Sequence, residues 1–449
     1  MSGPFAETLL QLAGRIRARE VTSTAVTEAC LDRIARGNAR VNAFITVSAE
    51  QALAMAHDAD REIALGRYRG PLHGVPVSFK DLVDVAGMPT TAASRLLAGR
   101  VAPSDAPVAA RLRAAGAVFL GKTNLHEFAF GTTSEDSAYG PVRNPVDPSR
   151  SAGGSSGGAA AALVEGMGYA AIGTDTGGSI RIPAAACGCV GLKPTFGEIA
   201  CDGVIPLSWS LDHVGPLAGS VGGARATYEA ALGLPPSQAA PPPLASLRIG
   251  VLRGYFTELL DEDVRTAFEA VLRRLEAAGA ALVERAVPHA SDVASIYLHV
   301  QLPEASAYHA EAIEQHPDAY TKPVRLRLEM GRFVLAEDYV RAQRGALLLR
   351  QEVSAALDGC DALALPTLPI PAPPLGVDAV MIGHGSQPVR ALMLRLTQLF
   401  DITRHPAISL PCGRTPLGLP VGLQLAGRLD RTRELLDVAE AIEALIGTP

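Results

Sequence analysis

A serine acts as a nucleophile on a carbonyl carbon only when a base removes its proton and hydrogen-bond donors hold the developing oxyanion. The segment Gly173-Thr174-Asp175-Thr176-Gly177-Gly178-Ser179-Ile180-Arg181-Ile182-Pro183-Ala184 carries the residue types for both the nucleophile and the donors. Two glycines ahead of Ser179 let successive backbone N–H groups converge, because glycine adopts the φ/ψ values such a nest needs. A tight strand-to-helix turn recruits the same residues for structural reasons alone.

The base could be a histidine or a lysine. Of the ten histidines, His73, His126 and His213 fall nearest the glycine-rich motifs, with no spacing that singles one out. Lys80 ends the apolar run Val75-Pro-Val-Ser-Phe79. A lysine directly after a buried strand is poorly solvated, and desolvation lowers its pKa toward the neutral amine that a base requires. The alternative is a lysine that reaches solvent along its stem or pairs with Asp81.

Two other glycine-rich segments match familiar patterns in the wrong context. Gly116-Ala-Val-Phe-Leu-Gly121-Lys122-Thr123 satisfies the phosphate-loop spacing, but its four middle residues are themselves the best strand candidate and a helix precedes them. We therefore expect a buried strand. Gly153-Gly154-Ser155-Ser156-Gly157 satisfies G-x-S-x-G, yet the upstream residues Asn144-Pro-Val-Asp-Pro148 cannot form the strand that a nucleophile elbow needs. A flexible Gly/Ser linker is the other reading. Against it, the run passes directly into Ala159-Ala-Ala-Ala-Leu-Val164, which suits a loop that delivers its serines to a helix N-terminus.

These residues need a scaffold, and the pattern around them alternates. The first sixty-odd residues read as helices, with Ser23 a candidate N-cap before a Val26, Cys30, Ile34 face and an Ala-rich helix over 49–65. Strands are expected at 75–79, 117–120 and 169–172, and helices at 105–115, 156–164 and from 180 onward. The Pro-rich stretch over 233–246 is the clearest linker by composition. Beyond it come strands at 247–252, 280–286, 362–365, 407–411 and 421–425, with helices at 263–278, 336–357 and after 430. Strands alternating with helices predict an α/β sheet covered on both faces. Periodicity does not decide whether the two halves share one sheet.

Composition excludes several classes. With 48% hydrophobic and 19% charged residues, the 449-residue chain can build a large core. A net charge of −6 and one tryptophan leave neither a basic stripe nor a stacking platform, so no direct nucleic-acid partner is expected. Glu7, Arg15, Arg17 and Arg19 interrupt the N-terminal apolar residues as a signal peptide would not, and no apolar run reaches spanning length. A cytoplasmic protein without membrane partners is expected. Six scattered cysteines resemble no disulfide framework, and Cys187-Gly-Cys189 lacks the second pair or histidines of a zinc site.

Together, the lysine strand, GAVFLGKTN, GGSSGG, GTDTGGSIRIPA, PAISLPCG and LPVGLQLAG resemble the amidase signature family from about residue 52 to the C-terminus. Lys80 stands 75 residues before Ser155, and Ser179 stands 24 after it, as in that family. The resemblance implies one α/β body over 1–449 around a mixed central β-sheet with helices on both faces. Its parts would be a helical segment (about 1–65), a signature core (about 66–220), the Pro-rich connection (about 233–246) and a C-terminal half (about 247–449). It implies Ser179 as nucleophile, Ser155 as bridging serine after a cis Gly154–Ser155 peptide bond, and Lys80 as base. The oxyanion hole would be the N–H groups of Thr176, Gly177, Gly178 and Ser179, with Ser156, Asp175 and Arg181 in support.

The implied activity is hydrolysis of a small-molecule carboxamide, or a related anilide or carbamate C–N bond, through a serine acyl-enzyme, without cofactor or metal. A homodimer is compatible with it. The alternatives are the A subunit of a tRNA-dependent glutamine amidotransferase and, more distantly, a non-catalytic binding module. Such subunits usually carry a tyrosine and an acidic residue before their PAIS segment, where this chain has Ala391-Leu-Met-Leu-Arg-Leu-Thr-Gln-Leu-Phe400. Arg404 also departs from relatives, which often have glycine there. The region over 291–337 is expected to shape the acyl or leaving-group pocket, with Tyr297, Leu298, Tyr308 and Phe333 as a partly apolar lining.

Overall fold

Short runs, most of them β-branched or apolar, form thirteen strands in the computed structural model, which describes residues 7–237, 240–383 and 385–447. They are β1 (Phe44–Val47), β2 (Pro76–Lys80), β3 (Val118–Thr123), β4 (Ala170–Asp175), β5 (Val190–Lys193), β6 (His213–Ala218) and β7 (Arg248–Leu252). Then follow β8 (Ala281–Arg285), β9 (Ala362–Pro366), β10 (Ala379–Ile382), β11 (Gly385–Pro388), β12 (Ala407–Arg414) and β13 (Pro420–Ala426). Eleven of these build one mixed sheet in the order β1-β3-β2-β4-β6-β5-β12-β13-β9-β7-β8, while β10 and β11 form a separate hairpin.

The two halves of the chain meet where β5 pairs antiparallel with β12, Leu192 opposite Ile408. One sheet therefore runs through both. Parallel pairs flank this seam on either side, β3-β2-β4 in one half and β9-β7-β8 in the other. Every residue of β2, β3, β4, β6, β9 and β13 is buried. Both side-chain directions of these strands are thus covered, as expected for a central sheet flanked by helices.

Most expected elements form within a residue or two of their expected bounds. The helix Ser23–Val41 buries Val26, Cys30 and Ile34, but its N-cap is Thr22, whose side chain accepts from the Ala25 N–H. Ser23 instead turns inward and donates to the Gly74 carbonyl at 2.7 Å. Five strands lie where none is expected from periodicity: both strands of the β10–β11 hairpin and three of the main sheet. β1 is a four-residue strand between two helices, too short to show alternation. β5 is equally short, and β6 contains Pro216, which ordinarily argues against an interior strand. Pro216 lies opposite Ile172 of β4, one residue beyond the β5–β6 ladder, which ends at Leu217 opposite Gly191. Within the Pro-rich connection, Gln238 and Ala239 lie outside the described residues.

Among the described residues, no helix is long and apolar enough to cross a membrane. Nor do they contain a group of three or more His, Cys, Asp or Glu able to hold a metal ion.

Candidate active site

β2 and β4 lie side by side in parallel, Phe79 opposite Ile172, and both end at the same edge of the sheet. That adjacency brings the last residue of β2, Lys80, beside the turn that follows β4. Lys80 is fully buried, and its Nζ donates to Ser155 Oγ at 2.8 Å and to Thr174 Oγ1 at 2.7 Å. Burial lowers its pKa to about 7, although Asp175 and Asp212 pull in the opposite direction. Asp81 is not its partner. That carboxylate is taken by Lys122, 3.0 Å away, in the strand that carries the phosphate-loop pattern.

Ser155 sits in a loop whose residues 151–156 are all buried, so the Gly/Ser run is no flexible linker. Its peptide bond to Gly154 is cis. The Ser155 carbonyl accepts from the His126 N–H and from Ser134 Oγ, both at 3.1 Å. A Cβ on Gly154 would come within 2.8 Å of the Thr133 and Ser134 nitrogens, so only glycine fits this close approach. The loop then enters the helix Gly157–Val164. No strand leads into it, unlike a nucleophile elbow.

Ser179 lies in the turn between β4 and the helix Arg181–Cys187, with 6% of its surface exposed. Its carbonyl accepts from the Ser156 N–H at 3.1 Å, and Ser156 Oγ donates to the Thr174 carbonyl at 3.2 Å. The two serine loops are thereby tied together through their backbones. Lys80 and Ser155 are joined by their side chains; Ser179 is brought to them through Ser156.

Asp175 shapes the turn. Its carboxylate accepts from the N–H groups of Gly178 (2.6 Å), Ile180 (3.0 Å) and Arg181 (3.3 Å), and from the Arg181 guanidinium at 2.9 and 3.0 Å. Burial alone would raise its pKa, but the Arg181 charge and these hydrogen bonds outweigh it and hold the carboxyl well below the usual range. One consequence bears on the expected oxyanion hole: the Gly178 N–H already serves Asp175. Thr176 Oγ1 donates to Asp212 at 2.6 Å, and Thr397 Oγ1 donates to the Gly177 carbonyl at 2.6 Å. A Cβ on Gly177 would meet Tyr297 Oη at 2.6 Å; one on Gly178, at φ +134°, would meet Thr397 Oγ1 at 2.2 Å.

Asp212, Thr397 and Asp401 lie outside the motifs of the resemblance, and Gln424 lies inside LPVGLQLAG without being marked there as a site residue. Arg181 reaches across the sheet to the Thr397 carbonyl (2.9 Å), Asp401 Oδ2 (2.7 Å) and Gln424 Oε1 (2.6 Å). Asp212, Thr397, Asp401 and Gln424 come from distant stretches, and only the sheet order brings them here. Thr174 belongs to the glycine-rich segment, but nothing in its type marks it as a partner of Lys80.

The histidines are engaged elsewhere. His73 faces Glu62 at 3.2 Å, His126 faces Asp136 at 3.0 Å, and His213 Nδ1 faces the Leu211 carbonyl at 2.7 Å. Among the described residues no histidine ring bonds to Lys80, Ser155 or Ser179. Of the four residues expected to line a pocket, Tyr297 is buried against the nucleophile turn, whereas Leu298, Tyr308 and Phe333 are exposed at 40%, 47% and 83%. Arg404 has φ +67°, a backbone conformation that favours glycine, and its guanidinium lies 4.3 Å from the Phe196 ring centre.

The amidase family profile matches residues 25–436. An amidase from Pseudomonas putida is 42% identical over 92% of this chain and 90% of its own. The glutamyl-tRNA(Gln) amidotransferase A subunit from Koribacter versatilis is 37% identical over 95% of this chain and 96% of its own. A crystal structure of an amidase superposes with a TM-score of 0.92 at 38% identity, covering 98% of this chain and 100% of that one.

Proposed function

The chain belongs to the amidase signature family and is an amide C–N hydrolase, and from that premise we propose that it cleaves small-molecule carboxamides through Lys80, Ser155 and Ser179. The observation that carries this is the fully buried Lys80 amine, 2.8 Å from Ser155 Oγ, with a pKa lowered to about 7. A neutral amine has one lone pair. With Thr174 Oγ1 taking one of its hydrogens, that lone pair can accept the Ser155 proton. Ser155 in turn takes the proton of Ser179 as Ser179 Oγ attacks the carbonyl carbon.

The oxyanion then falls to the free N–H groups of the Thr176 to Ser179 turn, that is, to residues other than Gly178. Collapse breaks the C–N bond, and the relayed proton leaves on the amine or ammonia. Water, deprotonated by the same relay, releases the acid from Ser179. Asp175 and Arg181 act by holding the turn's shape, and Ser156 by tying the two loops. The six cysteines are all free thiols, which supports a cytoplasmic setting.

A second reading is supported by the kinship with glutamyl-tRNA(Gln) amidotransferase A subunits. Against it, the first acidic residue after 391 is Asp401, fully buried on Arg181 and out of reach of a substrate amine. The test is a hydrolysis screen across glutamine, short aliphatic amides, anilides and carbamates, with intact-mass detection of the acyl-enzyme. Turnover with an adduct that Ser179→Ala abolishes is expected. Unchanged turnover in Ser179→Ala would overturn the triad, and activity confined to glutamine would favour the amidotransferase.

A further inference from the structure

Asp175 and Asp401 are both fully buried, and both lean on one nitrogen of Arg181, Nη2, at 2.9 and 2.7 Å. Two carboxylates sharing one guanidinium nitrogen in a dry interior cannot both be ionised without a second cation in contact. The candidates facing Asp401 are Lys193 and His213. Lys193 Nζ donates to the carbonyls of Pro194 and His405 at 3.1 and 2.7 Å and forms no ion pair within 4.0 Å of Asp401. His213 Nδ1 is 3.6 Å from Asp401 Oδ1, but that nitrogen donates to the Leu211 carbonyl, 2.7 Å away. Neither supplies the missing charge.

The oxygens of Asp401 then divide. Oδ2 accepts from Arg181, while Oδ1 is buried with no donor facing it. An ionised oxygen in that position would be stranded; a protonated one needs only an acceptor, and the Asp175 carboxylate, held on the same Arg181 Nη2, is the acceptor at hand. We infer that Asp401 is a positioning residue that works as a neutral acid, donating its Oδ1–H to Asp175 so that the Asp175 carboxylate stays ionised and keeps the Ser179 turn closed. Burial and the adjacent Asp175 charge push the Asp401 carboxyl well above the usual range, with Arg181 opposing, which agrees with this assignment. The inference rests on the proposed role of Ser179 for its effect on catalysis, but not for the protonation state itself.

Two measurements separate these. In Ser179→Ala protein at pH 7, infrared difference spectra against the Asp401→Asn, Ser179→Ala double variant should show the stretch of a protonated carboxyl; its absence overturns the inference whatever the nucleophile is. In the active enzyme, Asp401→Ala should lower kcat roughly 100-fold through a displaced turn, with KM little changed. Asp401→Asn, a neutral donor of the same shape, should restore most of that loss with the same pH profile. If Asp401→Asn is as impaired as Asp401→Ala, and Lys193→Met restores it, then Asp401 is the ionised counterion of Lys193 and the inference fails. Should Asp401→Ala not fold, the infrared comparison and the Asn variant still decide the matter.

Discussion

Lys122 Nζ sits 3.0 Å from Asp81 Oδ1, both side chains fully buried, so the carboxylate adjacent to Lys80 in sequence is committed to another lysine. Lys122 also donates to the Pro89 carbonyl and Thr90 Oγ1, and Asp81 accepts from Thr91. The pair is therefore closed on itself, and Lys80 is left facing hydroxyls. Removing one partner strands a buried charge, which costs about 3–5 kcal/mol. Lys122→Met should show that loss in urea unfolding, and the double variant with Asp81→Asn should recover part of it.

The Lys80 amine gives the activity its pH dependence. Only its neutral form can take a proton, and burial sets its pKa near 7. A rate profile for kcat/KM should therefore fall about tenfold per pH unit below 7 and level off above it. Lys80→Ala should lose activity by roughly 100-fold or more and lose this limb, since Lys80 is the amine in contact with Ser155 Oγ. A limb that survives in Lys80→Ala would assign it to another group.

The same residue is expected to cost stability. An unfolded lysine titrates near 10.5 and the folded one near 7, so between these values the unfolded chain binds more protons. Stability should then rise with pH across that window, by about 1.4 kcal/mol per unit for this group. Lys80→Met removes the burden of burying an amine. Its Tm should exceed that of the unmodified protein at pH 7, with the gap closing toward pH 10. A lower Tm for Lys80→Met at pH 7 would contradict the assignment.

Much of this architecture is legible in the sequence because long helices and apolar strands announce themselves. The Asp263 helix and the 336–357 helix form nearly at their expected bounds, and the two central strands β2 and β4 end on the residues that matter. What escapes is contact between distant segments. No periodicity signals that Gln424 of β13 will accept from Arg181 at 2.6 Å, because that meeting depends on strand order rather than spacing. β6 is hidden by Pro216, which ordinarily argues against an interior strand yet pairs with Ile172 of β4. Arg404 reads as a loss of glycine, yet the chain keeps the left-handed backbone and stacks the new side chain on Phe196.

Gly178 offers the most direct test of how tightly the turn is built. Its φ of +134° lies where an L side chain is strained, and an added Cβ would stand 2.2 Å from Thr397 Oγ1. That hydroxyl cannot simply move, because it donates to the Gly177 carbonyl at 2.6 Å. Gly178→Ala should thus displace both the Asp175 hydrogen bond and the turn that carries Ser179, lowering kcat by roughly 100-fold. Thr397→Ala alone loses one buried hydrogen bond, worth about 1 kcal/mol. The double variant removes the 2.2 Å contact but leaves the Cβ at position 397 and Ile182 Cδ1 each 2.7 Å from the new Cβ, together with the φ strain, so it should regain only a small part of the activity lost in Gly178→Ala. Such non-additivity is the signature of contacting residues. If the two substitutions simply add, Thr397 is not what confines the turn.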